Sequence, residues 1–254
     1  MTSSDPTGGK RDVFLRVTDP DRDAFLKDIG ARMAAGTGFS VATINLDHVV
    51  NLRRTPTYVA VYEAQTHVVA DGNPIVWLSR MAGRKVDLIP GSELIFPLCE
   101  LAVAADVPVA LVGSTDATLA RTAAVLEAEY PGLRVACRIA PAFGFDPAGP
   151  EAADIARRLD ASGAGLCFLA LGSPKQERLA ANIQDGLPSV GFVSIGAGLD
   201  FIAGTQTRAP VWMRKLALEW LWRLAANPRR LAGRYGRCIA IFPGLVFQAI
   251  RARY

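Results

Sequence analysis

GLCFLALGSPKQE, residues 165–177, opens on an unbroken apolar run and stops at a glycine, a Ser-Pro pair and three polar residues. A strand with one wet face alternates apolar with polar residues, whereas a continuous apolar run suits a strand covered on both faces. VPVALVG (107–113) and VGFVSIG (190–196) read the same way, and shorter β-rich runs fall at 41–45, 67–70 and 133–139. Helical patterns separate them at 56–65, 74–81, 116–129, 151–161 and 174–182. Thr55-Pro56 supplies a capping residue followed by proline at the first helical position. Strands alternating with helices predict an α/β fold, a doubly wound, mostly parallel, Rossmann-like sheet with crossover helices on both faces.

Composition narrows the class. The 254 residues are 50% hydrophobic and 20% charged, with Gly and Pro near globular norms, which excludes disordered, collagen-like and coiled-coil chains. Cys99, Cys137, Cys167 and Cys238 lie far apart, so neither a disulfide framework nor a zinc ribbon is expected and a reducing compartment fits. The first eleven residues, MTSSDPTGGKR, are polar and lack the apolar core of a signal peptide, so a cytoplasmic protein is expected. Residues 1–20 are expected to be disordered or loosely attached, 21–204 to form the α/β core, and 205–254 a helical appendage.

That appendage holds ten Lys and Arg against one acid, Glu219, whereas the first 204 residues hold 18 bases and 23 acids. Its bases are interleaved with Trp212, Trp220, Trp222, Tyr235 and Phe242, and it ends in CIAIFPGLVFQAI (238–250), a run broken by Pro243-Gly244. Thirteen residues are too few to span a bilayer core of roughly 30 Å at ~1.5 Å per residue. The pattern suits helices lying in an anionic membrane interface, with a cap packed on the core as the plainer reading. Trp220 and Trp222 cannot both face one side of a regular helix.

In a doubly wound sheet, ligands collect at the carboxyl ends of the strands. That rim would carry Thr43 and Asn45, then Asp71-Gly72, then Gly113, then Lys175 and Gln176, then Gly196 and Gly198. The glycines permit close backbone approach, and helix starts just after strands attract phosphate. Asp71 either caps the following helix or serves as a general base for a sugar hydroxyl. His67 reads as a packed strand residue and His48 has no evident partner. Neither GxGxxG after the first strand, nor GxxxxGK[ST], nor GxSxG is present, which disfavours dinucleotide, P-loop and serine-hydrolase chemistry. Asp19, Asp21 and Asp23 fall in the polar N-terminal stretch, away from the strand ends, so a metal-binding acidic motif is not expected there. A leaving diphosphate then needs protein cations, for which Lys175 and the arginines of residues 205–254 are available.

Several stretches together resemble the WecG/TagA/CpsF family of glycosyltransferases (glycosyltransferase family 26). They are T-x-N at 43–45, DG at 71–72, LGSPKQE at 171–177, RAP at 208–210, LEWLWRL at 218–224 and NPRRLAGRY at 227–235. The resemblance spans about residues 40 to 235, and PKQE, RAP and EWLxRL in this order are specific. It implies a metal-independent, inverting transfer of a hexose-type sugar from a UDP-sugar to a polyprenyl-diphosphate-linked sugar in surface polysaccharide assembly, with no cofactor. The donor sugar implied is N-acetylmannosamine, its uronic acid or glucose. Asp71 corresponds to the base, and Thr43, Asn45 and Gln176 to the pocket lining. Arg208, Arg223, Arg230 and Arg234 correspond to arginines that reach the donor diphosphate and help dock the enzyme on the inner face of the cytoplasmic membrane. Leu88 stands where many relatives carry an arginine, with Arg84 and Lys85 nearby. The rival readings are a catalytically inactive UDP-sugar-binding scaffold and a nucleic-acid-binding tail, the latter disfavoured. Self-association through the apolar tail is an expected property of a soluble form.

Overall fold

The computed structural model describes residues 17–253, except the side chains of Val211, Lys215 and Arg230. Six strands form one sheet: β1 (Phe39–Ile44), β2 (His67–Ala70), β3 (Val109–Gly113), β4 (Val135–Ile139), β5 (Leu166–Ala170) and β6 (Gly191–Ser194). Their order is β2-β1-β6-β5-β3-β4 and every neighbouring pair is parallel. The predicted doubly wound architecture is the one observed.

Strand residues alternate between two buried layers, which is why the strands read as continuous apolar runs. Val41, Val69, Leu111, Phe168 and Val193 face one layer with α1 (Arg22–Ala34), α5 (Gly91–Ala104), α6 (Asp116–Glu129) and α9 (Gly198–Ile202). On the other face, Ala42, Ile44, Val68 and Ala70 meet α2 (Leu46–Arg54), α3 (Pro56–Glu63) and α4 (Asn73–Met81). Farther along that face, Ala110, Val112, Cys167, Leu169 and Phe192 meet α7 (Pro150–Ser162) and α8 (Lys175–Ile183). The helices leaving adjacent strands β1 and β6, α2 and α9, go to opposite faces, so their carboxyl ends form the switch point at which sheets of this kind open a crevice. Gly91 lets the first turn of α5 press against that rim, since a Cβ there would lie 2.9 Å from the Ser194 carbonyl and 3.1 Å from Thr43 Cγ2.

The first sixteen residues lie outside the described part, but residues 17–20 are not loose. Thr18 donates its backbone N–H to the Val68 carbonyl at 3.0 Å and accepts the Val68 N–H on Oγ1 at 2.7 Å. This segment covers the open edge of β2, satisfying groups an edge strand leaves exposed. His67 is a packed strand residue, as expected, and it is also anchored, with Nδ1 3.0 Å from Asp19 Oδ1.

The chain closes with α10 (Val211–Lys215), α11 (Glu219–Ala226) and α12 (Pro228–Arg251). The expected break at Pro243-Gly244 does not occur, because α12 runs through it. Proline removes the N–H that would serve the Ile239 carbonyl; both residues are exposed, so water can take that partner's place. α12 packs on α2 and α4, with Leu245 and Ala249 fully buried beside Val49, Leu52 and Ile75. Its opposite side leaves Ile239, Phe247 and Ile250 exposed. Leu245→Ala is expected to cost about 2–5 kcal/mol in chemical denaturation and to speed amide exchange along α12. Unchanged exchange there would mean that the helix is held by other contacts.

Candidate active site

The carboxyl ends of β1 and β2 carry Asn45 and Asp71. Asn45 is the N-cap of α2: its Oδ1 accepts the backbone N–H groups of Asp47 (3.1 Å) and His48 (3.3 Å). The His48 ring returns the bond, Nδ1 accepting the Asn45 N–H at 3.1 Å, which completes a capping box with histidine in the place usually held by Glu or Gln. With Oδ1 committed, the Asn45 amide turns Nδ2 toward Asp71 and donates to Oδ2 at 3.2 Å. Asp71 is fixed from behind by its own N–H, which donates to the Ile44 carbonyl at 2.8 Å. Asp71 does not cap α4; Gly72 occupies that position, at φ +124°.

Burial pushes the Asp71 carboxyl above the ordinary aspartate range. The Asn45 bond and the Arg223 and Arg234 guanidinium groups oppose the rise, and Glu219 adds to it. Two of those four influences come from α11 and a third from α12, so the basic tail reaches the strand-end rim. Burial, with Arg234 nearby, pushes His48 down to about 3, which leaves its imidazole neutral.

Beside this pair lies a second polar cluster organised by Glu177, which has no solvent exposure. Its Oε1 accepts from Gln176 Nε2 at 2.8 Å and its Oε2 from the Tyr58 hydroxyl at 3.1 Å. Tyr58 has one proton, and when that proton goes to Glu177 its oxygen accepts from Ser173 Oγ at 2.8 Å. Glu177 Oε1 also lies 3.9 Å from His48 Nε2, an electrostatic contact rather than a hydrogen bond. Burial pushes the Glu177 carboxyl up, against the hydrogen bonds from Gln176, its own backbone N–H and Tyr58.

The residues expected at the rim fall into four settings. Asn45 and Asp71 stand together at the ends of β1 and β2, and Gly196, just past β6, donates its N–H to Gln176 Oε1 at 3.2 Å. Gln176 itself is 2% exposed with both ends of its amide bound to protein, so it braces the rim from below instead of lining an open pocket. Thr43 is also buried, its methyl against Gly91 and its carbonyl accepting from Tyr62 at 2.7 Å. Gly113 and Gly198 are accounted for by packing: a Cβ would lie 2.4 Å from the Ala170 carbonyl or 2.6 Å from Ile95 Cδ1, respectively. Lys175 begins α8 half-buried, with no carboxylate partner among the described residues.

The tail arginines are already engaged. Arg208 Nη2 lies 2.6 Å and Arg214 Nη1 3.4 Å from Glu93 Oε1, and Arg223 Nη2 lies 2.7 Å from Glu219 Oε1. Arg208 and Arg223 also stand over the Phe201 ring, at 5.9 and 5.4 Å from its centroid. Arg234 Nε is 3.1 Å from Asp47 Oδ2, close enough to pair but out of line for a hydrogen bond. The Nε atoms of Arg208, Arg214 and Arg234 are therefore buried donors without an acceptor among the described residues. The side chain of Arg230 lies outside the described set. Arg84, near Leu88, donates from Nη2 to the Val17 carbonyl at 3.3 Å.

Glu177, Tyr58, Ser173 and His48 were not picked out as site residues from sequence. Glu177 sits in the quoted PKQE run but has the look of an ordinary first-turn acid. His48 lies three residues after Asn45, a capping-box spacing that was available to find it.

The strand-end rim of this α/β fold thus holds one carboxylate oriented by Asn45 and within reach of the charges of Arg223 and Arg234. The sequence profile described as "Glycosyl transferase WecG/TagA/CpsF family" matches residues 11–254, and the chain belongs to that glycosyltransferase family. It is 25% identical over 195 residues to the N-acetylglucosaminyldiphosphoundecaprenol N-acetyl-beta-D-mannosaminyltransferase of Bacillus subtilis (strain 168). The alignment covers 76% of this chain and 73% of the relative. The protein of the same name from Bacillus spizizenii is 27% identical over the same shares of each chain.

Glu177→Gln is expected to cost about 1–3 kcal/mol, because its amide turns an N–H toward a donor that had an acceptor. The sign with pH is also fixed. A carboxyl raised by folding stabilises fully below its unfolded value, and that stability is lost as pH rises through the folded value. Denaturation across pH should therefore show a shallower slope in Glu177→Gln than in wild type. An equal slope would move the linkage elsewhere.

Proposed function

We propose that this protein transfers N-acetylmannosamine from its UDP-activated form to a sugar carried on a polyprenyl diphosphate, inverting the anomeric centre without a metal. Asp71 is the general base. The observation that carries this reading is one carboxylate at the crevice, raised by burial, oriented by Asn45 and within the field of Arg223 and Arg234. The donor and acceptor follow the names of the two Bacillus relatives.

In the proposed step the acceptor hydroxyl gives its proton to Asp71 as its oxygen bonds to the anomeric carbon. The bond from that carbon to the UDP oxygen breaks on the opposite face, and its electron pair leaves with the diphosphate. Asn45 holds Oδ2 of the base, leaving Oδ1 for the acceptor proton. Arg223 and Arg234, whose charges reach Asp71, supply the cations for the negative charge that develops on the leaving diphosphate.

Among the described residues no helix is long and apolar enough to cross a membrane. Trp212, Leu216, Trp220, Leu221, Ile239, Phe247 and Ile250 are exposed on α10–α12 and the turn that joins α10 to α11. We assign this basic, apolar surface to peripheral docking on an anionic leaflet, which brings the crevice to its lipid-linked acceptor.

Transfer from UDP-N-acetylmannosamine to a short-chain polyprenyl-diphosphate-N-acetylglucosamine, in EDTA, tests the reaction. Wild type should be active and Asp71→Asn slower by about 10²–10⁴-fold with UDP affinity kept. Full activity in Asp71→Asn would remove the base. The acid limb of kcat should lie above the ordinary aspartate range, since the base must be ionised. Sedimentation with phosphatidylglycerol vesicles should retain the protein when salt is raised, because the apolar part of the contact is not screened. Complete release at high salt, or no binding at all, would argue against insertion of the apolar side chains.

A further inference from the structure

We propose that His48 is a positioning residue whose neutral imidazole, oriented from behind by Glu177, fixes the direction of the Asp71 carboxylate. This inference rests on the reading of Asp71 as the base.

The geometry leaves each group one choice. Asn45 accepts two backbone N–H groups on Oδ1, so a flipped amide would set donors against donors and an oxygen against the Asp71 carboxylate. The Asn45 backbone N–H then needs an acceptor, and His48 Nδ1 provides it at 3.1 Å. A neutral imidazole that accepts on Nδ1 carries its proton on Nε2. That nitrogen faces Glu177 Oε1 at 3.9 Å, so the buried carboxylate favours the tautomer that the cap requires. A doubly protonated ring would put an N–H against the Asn45 N–H. His48 is 3% exposed and its ring packs 6.1 Å from that of Tyr62, so it has little room to turn away. The sequence of contacts runs from Glu177 through His48 and Asn45 to Asp71, drawing on α8, α2, and the ends of β1 and β2.

Histidine at this place differs from the Glu or Gln of an ordinary capping box. A glutamate would add a second negative charge near Asp71, whereas the neutral ring supplies the acceptor without one. Arg234, which pairs with Asp47 one residue before His48, further disfavours a charged ring.

The test is a site-resolved ¹³C carboxyl titration of Asp71 in the full chain, assigned by its loss in Asp71→Asn. His48→Leu keeps the volume and removes the acceptor, and His48→Gln restores a capping-box acceptor. Arg223 and Glu219 of α11, Arg234 of α12 and Tyr62 of α3 face Asp71 from other elements. All keep their identity in both variants, and because Arg234 and Tyr62 also neighbour His48, the return of the midpoint in His48→Gln separates the lost acceptor from their displacement. The Asp71 midpoint should rise in His48→Leu and return toward wild type in His48→Gln. Turnover on the acid limb should fall about tenfold in the leucine variant and recover in the glutamine one, with donor KM within about twofold. If the leucine variant does not fold, Asn45→Ser keeps the helix cap, lacks the amide donor, and should raise the midpoint in the same way. An Asp71 midpoint unmoved by these changes overturns the proposal and leaves His48 a packing residue. A midpoint that moves as expected while Asp71→Asn retains full turnover would keep the positioning contact and overturn the base instead.

Discussion

A carboxylate shut away from water has to be surrounded by donors, and Glu177 is shut away completely. Donors are found only by bringing several elements together. Tyr58 comes from α3, Gln176 from the same turn of α8, and Ser173 joins through Tyr58. Gln176 in turn ties Gly196 at the end of β6, and Gln65 binds the Glu177 carbonyl at 3.2 Å. The loops after β5 and β6 are thereby held where the crevice needs them. Replacing the carboxylate by an apolar group would leave several donors facing one another, which a well-packed interior does not tolerate.

The catalytic candidate is held by a separate device, the cap of α2. Four N–H groups at a helix start need partners in any protein, and here one capping side chain serves both the helix and Asp71. The arrangement couples two requirements that usually stay apart. α2 cannot fray at its first turn without releasing Asp71, so a stable helix start and a fixed carboxylate become the same condition. The opposing influences on Asp71 fit this economy. Burial raises its proton affinity, and the Asn45 donor together with tail arginines keeps the ionised form accessible.

The sheet and both helical layers were legible because burial on two faces writes itself as unbroken apolar runs at 107–113, 165–172 and 190–196. The placement of Asp71 and Asn45 at the rim was legible because polar residues that follow apolar strand runs fall at strand ends. Glu177 was not, since burial of a first-turn acid depends on Tyr58, which lies more than a hundred residues away in sequence. Gln176 was found but its orientation was not: a rim position says nothing about which way an amide points. Gly113 and Gly198 mark close packing instead of ligand approach, two causes with the same signature in sequence. The continuity of α12 through Pro243 depended on the missing bond falling on the wet side of the helix.

The arginines of α10–α12 raise a last question of charge. A crown of guanidinium groups set around an empty diphosphate site would repel itself, and loose arginines would cost conformational entropy on each capture of ligand. Here Glu93, Glu219 and Asp47 act as counterions within the protein, and Phe201 gives two of the guanidiniums a flat surface to rest on. These carboxylates do not satisfy the arginines completely, for the buried Nε–H groups of Arg208 and Arg214 have no acceptor among the described residues and that of Arg234 has only an ion pair out of line for a hydrogen bond. On the proposed reading a diphosphate completes what the carboxylates leave open, so binding exchanges partial partners for better ones and does not have to assemble the crown anew. The same α12 that carries Arg234 is seated on α2 by Leu245 and Ala249, so the cation and the cap that orients Asp71 share one packed support.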